Sequence, residues 1–291
     1  MNSGSPSARA VLLTALAMLA FAANSLLCRL ALLHSSIDPA SFSSVRLISG
    51  ALALALIVRL KSGGASPARA DWPAAAMLFG YVACFSFAYV TLSAGTGALI
   101  LFDTVQLTML TAGLWAGESF RPLAWAGFAL AVGGLVYLLS PGVTAPAPMG
   151  ATLMAVAGVS WGGYSLRGRG VTDPLAATAS NFLRAVPFTL ALSLVFAVQS
   201  HASFTGLALA IASGAVTSGI GYVIWYAALG GLSAMRAATV QLSVPPIAAL
   251  GAVIALSESI TPRWALASIA ILGGIFLVLA SRSQVAKPAR V

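Results

Sequence analysis

Charge is what this chain has least of: only 7% of its 291 residues are charged, against roughly a quarter in an ordinary soluble domain. With 59% hydrophobic residues, the chain cannot cover a water-facing outside with charge, so most of its outside must face lipid. Acids are scarcest, six Asp and Glu against 15 Lys and Arg. Such a basic excess raises nucleic acid as a partner. The distribution favours a membrane instead, because the basic residues stand singly or in twos and threes between apolar runs, without clustered Lys and Arg or interleaved aromatics. The two histidines, His34 and His201, fall near expected outer loops, which leaves no convergent nucleophile, acid/base pair or metal set. His-Glu-x-x-His, a nucleophile elbow and a phosphate loop are all missing, which argues against an enzyme, a cofactor and direct ATP drive. A channel filter motif is missing as well. Cys28 and Cys84 both sit inside apolar runs and read as buried filler rather than a disulfide.

In place of charge the chain has apolar runs of about 20 residues, the length that crosses a ~30 Å hydrocarbon core as a helix. Ten are counted, at 10–33, 40–60, 72–92, 96–116, 122–140, 149–168, 175–199, 204–228, 232–256 and 263–282. The expected fold class is therefore all-α, a polytopic membrane protein with ten transmembrane helices. Connectors such as residues 62–67 and 141–148 are short and rich in Gly, Pro and Ser, and no extramembrane domain fits. The first run is too long for the core of a cleavable signal and reads as a retained helix. With the N-terminus inside, Arg9, Arg59, Lys61, Arg69, Arg121, Arg167, Arg169, Arg236, Arg282, Lys287 and Arg290 lie on the inner side and only Arg263 lies outside. That asymmetry predicts both termini in the cytoplasm.

An internal repeat organises the runs. Thr104-Val105-Gln106-Leu107 recurs as Thr239-Val240-Gln241-Leu242, 135 positions later. Glu118-Ser119 with Pro122 recurs as Glu258-Ser259 with Pro262, and Gly133-Gly134 as Gly273-Gly274, both 140 positions later. The chain then divides into a first five-helix repeat at 1–145 and a second at 146–291. An odd number of spans per half inserts the second half upside down, so the expected fold is two inverted five-helix repeats about an axis in the membrane plane.

These features resemble the drug/metabolite transporter superfamily in its ten-helix EamA-type branch, over essentially the whole chain. The resemblance is carried by Trp161-Gly162 in the sixth run, Gly117-Glu118-Ser119 and Ser257-Glu258-Ser259 ending the fourth and ninth, the prolines that follow, and the glycine pairs in the fifth and tenth. Phe21-Ala22 stands where the first repeat would carry its Trp-Gly. The resemblance implies a secondary transporter or facilitator of a bacterial inner membrane. It further implies export of amino acids, including aromatic ones, or related metabolites by alternating access. Family members that move sugars, nucleotide sugars or organic cations supply the alternative cargoes, and an intramembrane enzyme or a structural membrane protein are the other classes. The partners expected are the lipid bilayer and a small-molecule substrate, with proton coupling and oligomeric state left open.

Each polar group inside a membrane helix needs a partner or a wet cavity, because insertion of a charge costs about 2.5–3.5 kcal/mol. Asp103 is the one acid well inside a run, sharing a helix face with Leu99, Gln106 and Leu110. It reads equally as a cavity carboxylate, for a substrate amine or a proton, and as a partner for Arg46 or Arg184. Gln106 and Gln241 match across the repeats and read as cavity donors and acceptors, the alternative being an interhelical hydrogen bond. Aromatics at helical spacing form a second candidate lining: Tyr81, Phe85 and Tyr89 in the third run, Trp161 and Tyr164 in the sixth, Tyr222, Trp225 and Tyr226 in the eighth. Most membrane aromatics belong to interfacial belts, but Tyr81 and Tyr222 lie deeper than a belt requires. Asn24 joins them from the first run, on one face with Phe21 and Cys28. An aromatic cavity would suit apolar or aromatic amino acids, or organic cations by cation–π attraction. Arg46 and Arg184 could bind a carboxylate or phosphate, but read first as snorkelling or helix-tying residues. Glu118 and Glu258 read as loop anchors that cap the next helix or pair with Arg121 and Arg263. Gly95, Gly97 and Gly113 in the fourth run and Pro245 and Pro246 in the ninth are the expected seats of bending.

Overall fold

The computed structural model describes residues 8–33, 36–62, 71–117, 121–168, 171–229 and 239–282. Glu118, Ser119, His34, Arg69, Arg169, Arg236, Lys287 and Arg290 lie outside the described residues. The described helices are α1 (Ala8–Leu33), α2 (Pro39–Ser62), α3 (Trp72–Ala88), α4 (Ala94–Trp115), α5 (Pro122–Leu139), α6 (Pro148–Arg167) and α7 (Pro174–Val195). They continue with α8 (Phe204–Ile211, widening to a π-helical stretch at Ala212–Ile220 and resuming at Gly221–Leu229), α9 (Val244–Leu256) and α10 (Pro262–Arg282). Among the described residues there is no strand, only an isolated antiparallel bridge between Ile37 and Ala202. Eight helices are long and apolar enough to cross a membrane; α3, at 17 residues, and the glycine-rich α6 fall short of that measure. Large apolar side chains stand exposed in mid-helix, including Leu52, Leu183, Ile254 and Ile269, as a lipid-facing surface requires.

The helix starts follow from local chemistry. Asp71 and Asp173 each accept a hydrogen bond from the backbone N–H three residues on, with a proline at the first turn where its missing N–H costs nothing. Asp38 does the same before α2, taking the N–H groups of Ala40 and Ser41 and, across the fold, that of His201. Partial burial opposes the charged Asp38 carboxylate, but the hydrogen bonds from Ser41 and His201 prevail and hold it below the usual carboxylate range. Serines 93 and 203 cap α4 and α8 through the amides of Thr96 and Gly206.

Several helix ends differ from the sequence expectation. The third run stops at Ala88, and Tyr89 becomes its buried cap, with the ring hydroxyl donating to the Ala94 carbonyl. In the ninth, a helical turn at residues 239–241 breaks at Leu242 and Ser243 before α9 starts at Val244. Pro245 and Pro246 lack the N–H groups that would bond the carbonyls of Gln241 and Leu242, so the break falls one turn upstream of the prolines. Glu258 pairs with Arg29 of α1 at 3.0 Å rather than with Arg263, which donates instead to the carbonyls of Ser140 and Pro141. Ser257, in the left-handed region at φ 53°, closes α9 and turns the chain so that this happens.

Helix contacts repeat under a shift of five: α3 packs on α6 and α8 on α1, α4 on α6 and α9 on α1, α3 on α7 and α8 on α2. The pairs α2–α7, α4–α9 and α5–α10 join equivalent helices. Small residues set the closest crossings. A Cβ on Gly95 would stand 2.8 Å from that of Ala249 in α9, and one on Gly274 would meet the Gly127 carbonyl of α5 at 2.5 Å. Gly134 and Gly274 therefore serve the α5–α10 contact inside the molecule, while Gly133 and Gly273 face open space.

Candidate functional site

The repeated contacts bring α1, α3, α6 and α8 around one central cavity, with α4 as a further wall. Its lining is Phe21, Asn24 and Ser25 of α1, Tyr81 and Phe85 of α3, Leu101 and Phe102 of α4, Trp161 of α6, and Thr217, Ser218 and Tyr222 of α8. The cavity measures about 30 Å³, room for one or two waters and too little for an amino acid in this conformation.

Six rings, Phe102 among them, build most of its apolar part. Trp161 stacks between Tyr164 and Tyr222, each 5.4 Å away, and meets Tyr81 at 4.9 Å. Phe21 reaches Tyr222 edge-on at 6.0 Å, and Phe85 lies 5.4 Å from Tyr81. Such offset and edge contacts are the ring geometries favoured by aromatic quadrupoles.

The polar part is a connected network. Asn24 donates to the Tyr81 hydroxyl at 3.4 Å and accepts from Ser213 at 2.7 Å and Thr217 at 3.2 Å. Arg46 of α2, only 1% exposed, lies behind the wall, donating from Nη2 to the Tyr81 hydroxyl at 3.0 Å and from Nε to Ser218 at 3.4 Å. Its guanidinium carbon stands 5.2 Å from the Tyr81 ring centre and 4.9 Å from that of Phe85. Nη1 of Arg46 is buried without a hydrogen-bond partner. The side chain is not a snorkelling one: packing of α2 against the π stretch of α8, where Gly214 sits on the Arg46 carbonyl, keeps it inside.

The sequence candidates separate on this geometry. Asn24, Tyr81, Phe85, Trp161 and Tyr222 come together in the lining. Tyr164 stands behind Trp161, its hydroxyl accepting from Asn181 at 3.5 Å. Asp103 and Gln106 are buried on α4 but outside the lining, and Gln241 is half-buried at the turn before α9. Both carboxylate oxygens of Asp103 lack hydrogen-bond partners, so it is not the expected partner of Arg46 or Arg184; Arg184 donates to the Ser180 carbonyl. Gly97 lies against the Tyr89 ring, Gly95 at the α4–α9 crossing, and Gly113 is buried near the end of α4. Sequence reasoning passed over Ser213, Thr217 and Ser218. Their signal was a polar run inside an apolar span, with Ser213 and Thr217 four residues apart on one face.

A model of the EamA-like transporter family matches the chain twice, at residues 8–140 and 148–280. A curated relative, the uncharacterized protein PA1977 of Pseudomonas aeruginosa, is 54% identical over 277 residues, covering 95% of this chain and 96% of the relative. A solved crystal structure superposes with a TM-score of 0.67 at 21% identity, covering 96% of this chain and 99% of that one; at that identity the likeness is one of fold.

Proposed function

Because the chain belongs to the EamA-like transporter family, and so is a multi-pass membrane transporter of small molecules, we propose that its cargo is amino acids with apolar or aromatic side chains, exported by alternating access. The observation that carries this reading is the lining itself: six aromatic rings together with the polar groups of Asn24, Ser25, Thr217 and Ser218. An amino acid presents the same division between side chain and head. Sugars would need polar groups around their whole perimeter, and organic cations would face the buried charge of Arg46, so the geometry favours neither alternative.

The proposed frame is ten spans in two inverted repeats, the halves dividing near residue 145. Two things support it. The helix contacts repeat under a shift of five, and four ties between helix ends join ends that ten alternating spans put on one side: Arg29 with Glu258, Asp38 with His201, Arg263 with Ser140, and, at the opposite end, Asp71 with Arg167. By the basic-residue asymmetry both termini face the cytoplasm of a bacterial cell.

Flux of labelled amino acids in proteoliposomes, with and without an imposed pH gradient, tests the cargo. Phenylalanine or leucine flux is expected; flux of a sugar derivative with none of any amino acid would overturn it.

A further inference from the structure

We infer that Arg46 is the anchor for the carboxylate of the cargo. The inference rests on the export reading for the role of the cavity, and it is carried by the accounting of charge around that cavity. A guanidinium does not give up its proton inside a protein, so Arg46 brings a full positive charge into the span. Every partner it has is neutral: the hydroxyls of Tyr81 and Ser218 and the faces of Tyr81 and Phe85. One guanidinium nitrogen, Nη1, is buried with nothing to donate to.

No acid of the chain answers this charge among the described residues. Asp38 and Asp173 cap helices, Asp71 pairs with Arg167, and Glu258 pairs with Arg29. Asp103, the remaining described acid and the one inside a span, meets no hydrogen-bond donor at either oxygen. A buried cation with an unfilled donor and no counter-charge is costly unless something supplies the missing anion. The cavity is the nearest place from which that anion can come, since Tyr81 and Ser218, which hold the guanidinium, both line it. When the cavity enlarges to admit a cargo, a carboxylate takes Nη1 and the position now filled by the Tyr81 or Ser218 hydroxyl, a two-pronged charge-assisted contact.

The charge of the anion follows from the same accounting. Arg29 is committed to Glu258, and neither it nor Arg184 bonds a residue of the lining, so Arg46 is the one positive charge set directly behind the cavity wall and one negative charge balances it. That suits a monocarboxylate better than a phosphate dianion. The six rings of the lining then receive the rest of the molecule.

The experiment uses the full chain in detergent and reads the intrinsic fluorescence of the tryptophans, of which Trp161 lines the cavity. The probes share one ring and differ in their head groups: phenylalanine, 3-phenylpropanoate, phenylalaninamide, 2-phenylethylamine and, separately, inorganic phosphate. Phenylalanine and 3-phenylpropanoate are expected to bind at least about tenfold more tightly than the amide and the amine. Arg46→Gln is expected to erase that preference, and Arg46→Lys to keep part of it. Equal binding of acid and amide by the unaltered chain overturns the inference without any variant having to fold. So does binding of none of the probes, a preference that survives in Arg46→Gln, or phosphate displacing 3-phenylpropanoate at equal concentration. Carboxylate binding without amino-acid flux in proteoliposomes would sustain the Arg46 site and overturn the export reading; amino-acid flux without carboxylate preference would do the reverse.

Discussion

Tyr81 carries more of the site than any other single side chain. Its hydroxyl accepts from both Arg46 and Asn24, and its ring touches Phe85 and Trp161. Tyr81→Phe keeps the ring and strips two buried donors of their acceptor, one of them charged, a loss of about 1–3 kcal/mol. The expected result is a melting temperature in detergent lower by several degrees and a fall in flux; unchanged values for both would remove Tyr81 from the network. Asp103 makes a contrasting case. With no donor at either oxygen, its side chain gains little from being a carboxylate, so Asp103→Asn is expected to leave melting almost unchanged. Any stimulation of flux by a pH gradient is expected to vanish in that variant, and stimulation that survives would separate Asp103 from coupling. The sequence made Asp103 conspicuous because an acid in an apolar run is rare. For Arg46 it leaves snorkelling and helix-tying both open, and burial selects the second, since position along a helix shows how near a membrane surface a residue enters but not which neighbour closes over it.

The element that decides the polar half of the cavity is the π-helical stretch of α8. Ser213 and Thr217, four residues apart and so on one face, reach the same Asn24 oxygen, while Ser218 beside them meets Arg46. Gly214, within the stretch, makes the close approach to α2 possible. A Cβ there would run into Ser49 Oγ and the Arg46 carbonyl, and one on Gly50 would meet the Phe182 ring at 2.6 Å. Gly214→Leu is therefore expected to push α8 off α2, with loss of carboxylate-probe binding and a large drop in melting temperature. Gly133→Leu, where open space receives the side chain, is the control expected to change neither. Spans of this kind are easy to read from a sequence because twenty apolar residues fit one solvent. A π turn is not, because it costs and gains nothing that periodicity records; it is fixed by the packing of α8 between α1 and α2.

At the scale of the molecule, the duplicated halves were legible from three short matches. A further one, Asp38-Pro39 against Asp173-Pro174, is 135 positions apart with the same i to i+3 capping bond in each copy. What the matches could not tell is how each end is shut, because the residues that do so are not repeated. At one end Arg29 and Glu258 join α1 to α9, and their spare groups bind the carbonyls of Tyr89 and Val90 and the N–H of Ala94. At the other, Arg167 spans both oxygens of Asp71. The side chains of the first pair are 13% and 14% exposed, those of the second 47% and 32%. An exposed pair is worth roughly 0.2–1 kcal/mol, and a shielded one with extra hydrogen bonds is worth more. The molecule is thus bolted harder at the Arg29 end, and alternating access requires that bolt to release. Cys28, fully buried beside Arg29, offers a reporter. In a Cys84→Ser background, Glu258→Ala is expected to raise the labelling of Cys28 by a membrane-impermeant thiol reagent several-fold. Asp71→Ala, at the opposite end, is expected to leave that rate alone. Equal labelling in the two variants would mean that helix packing, and not the ion pair, keeps that end closed.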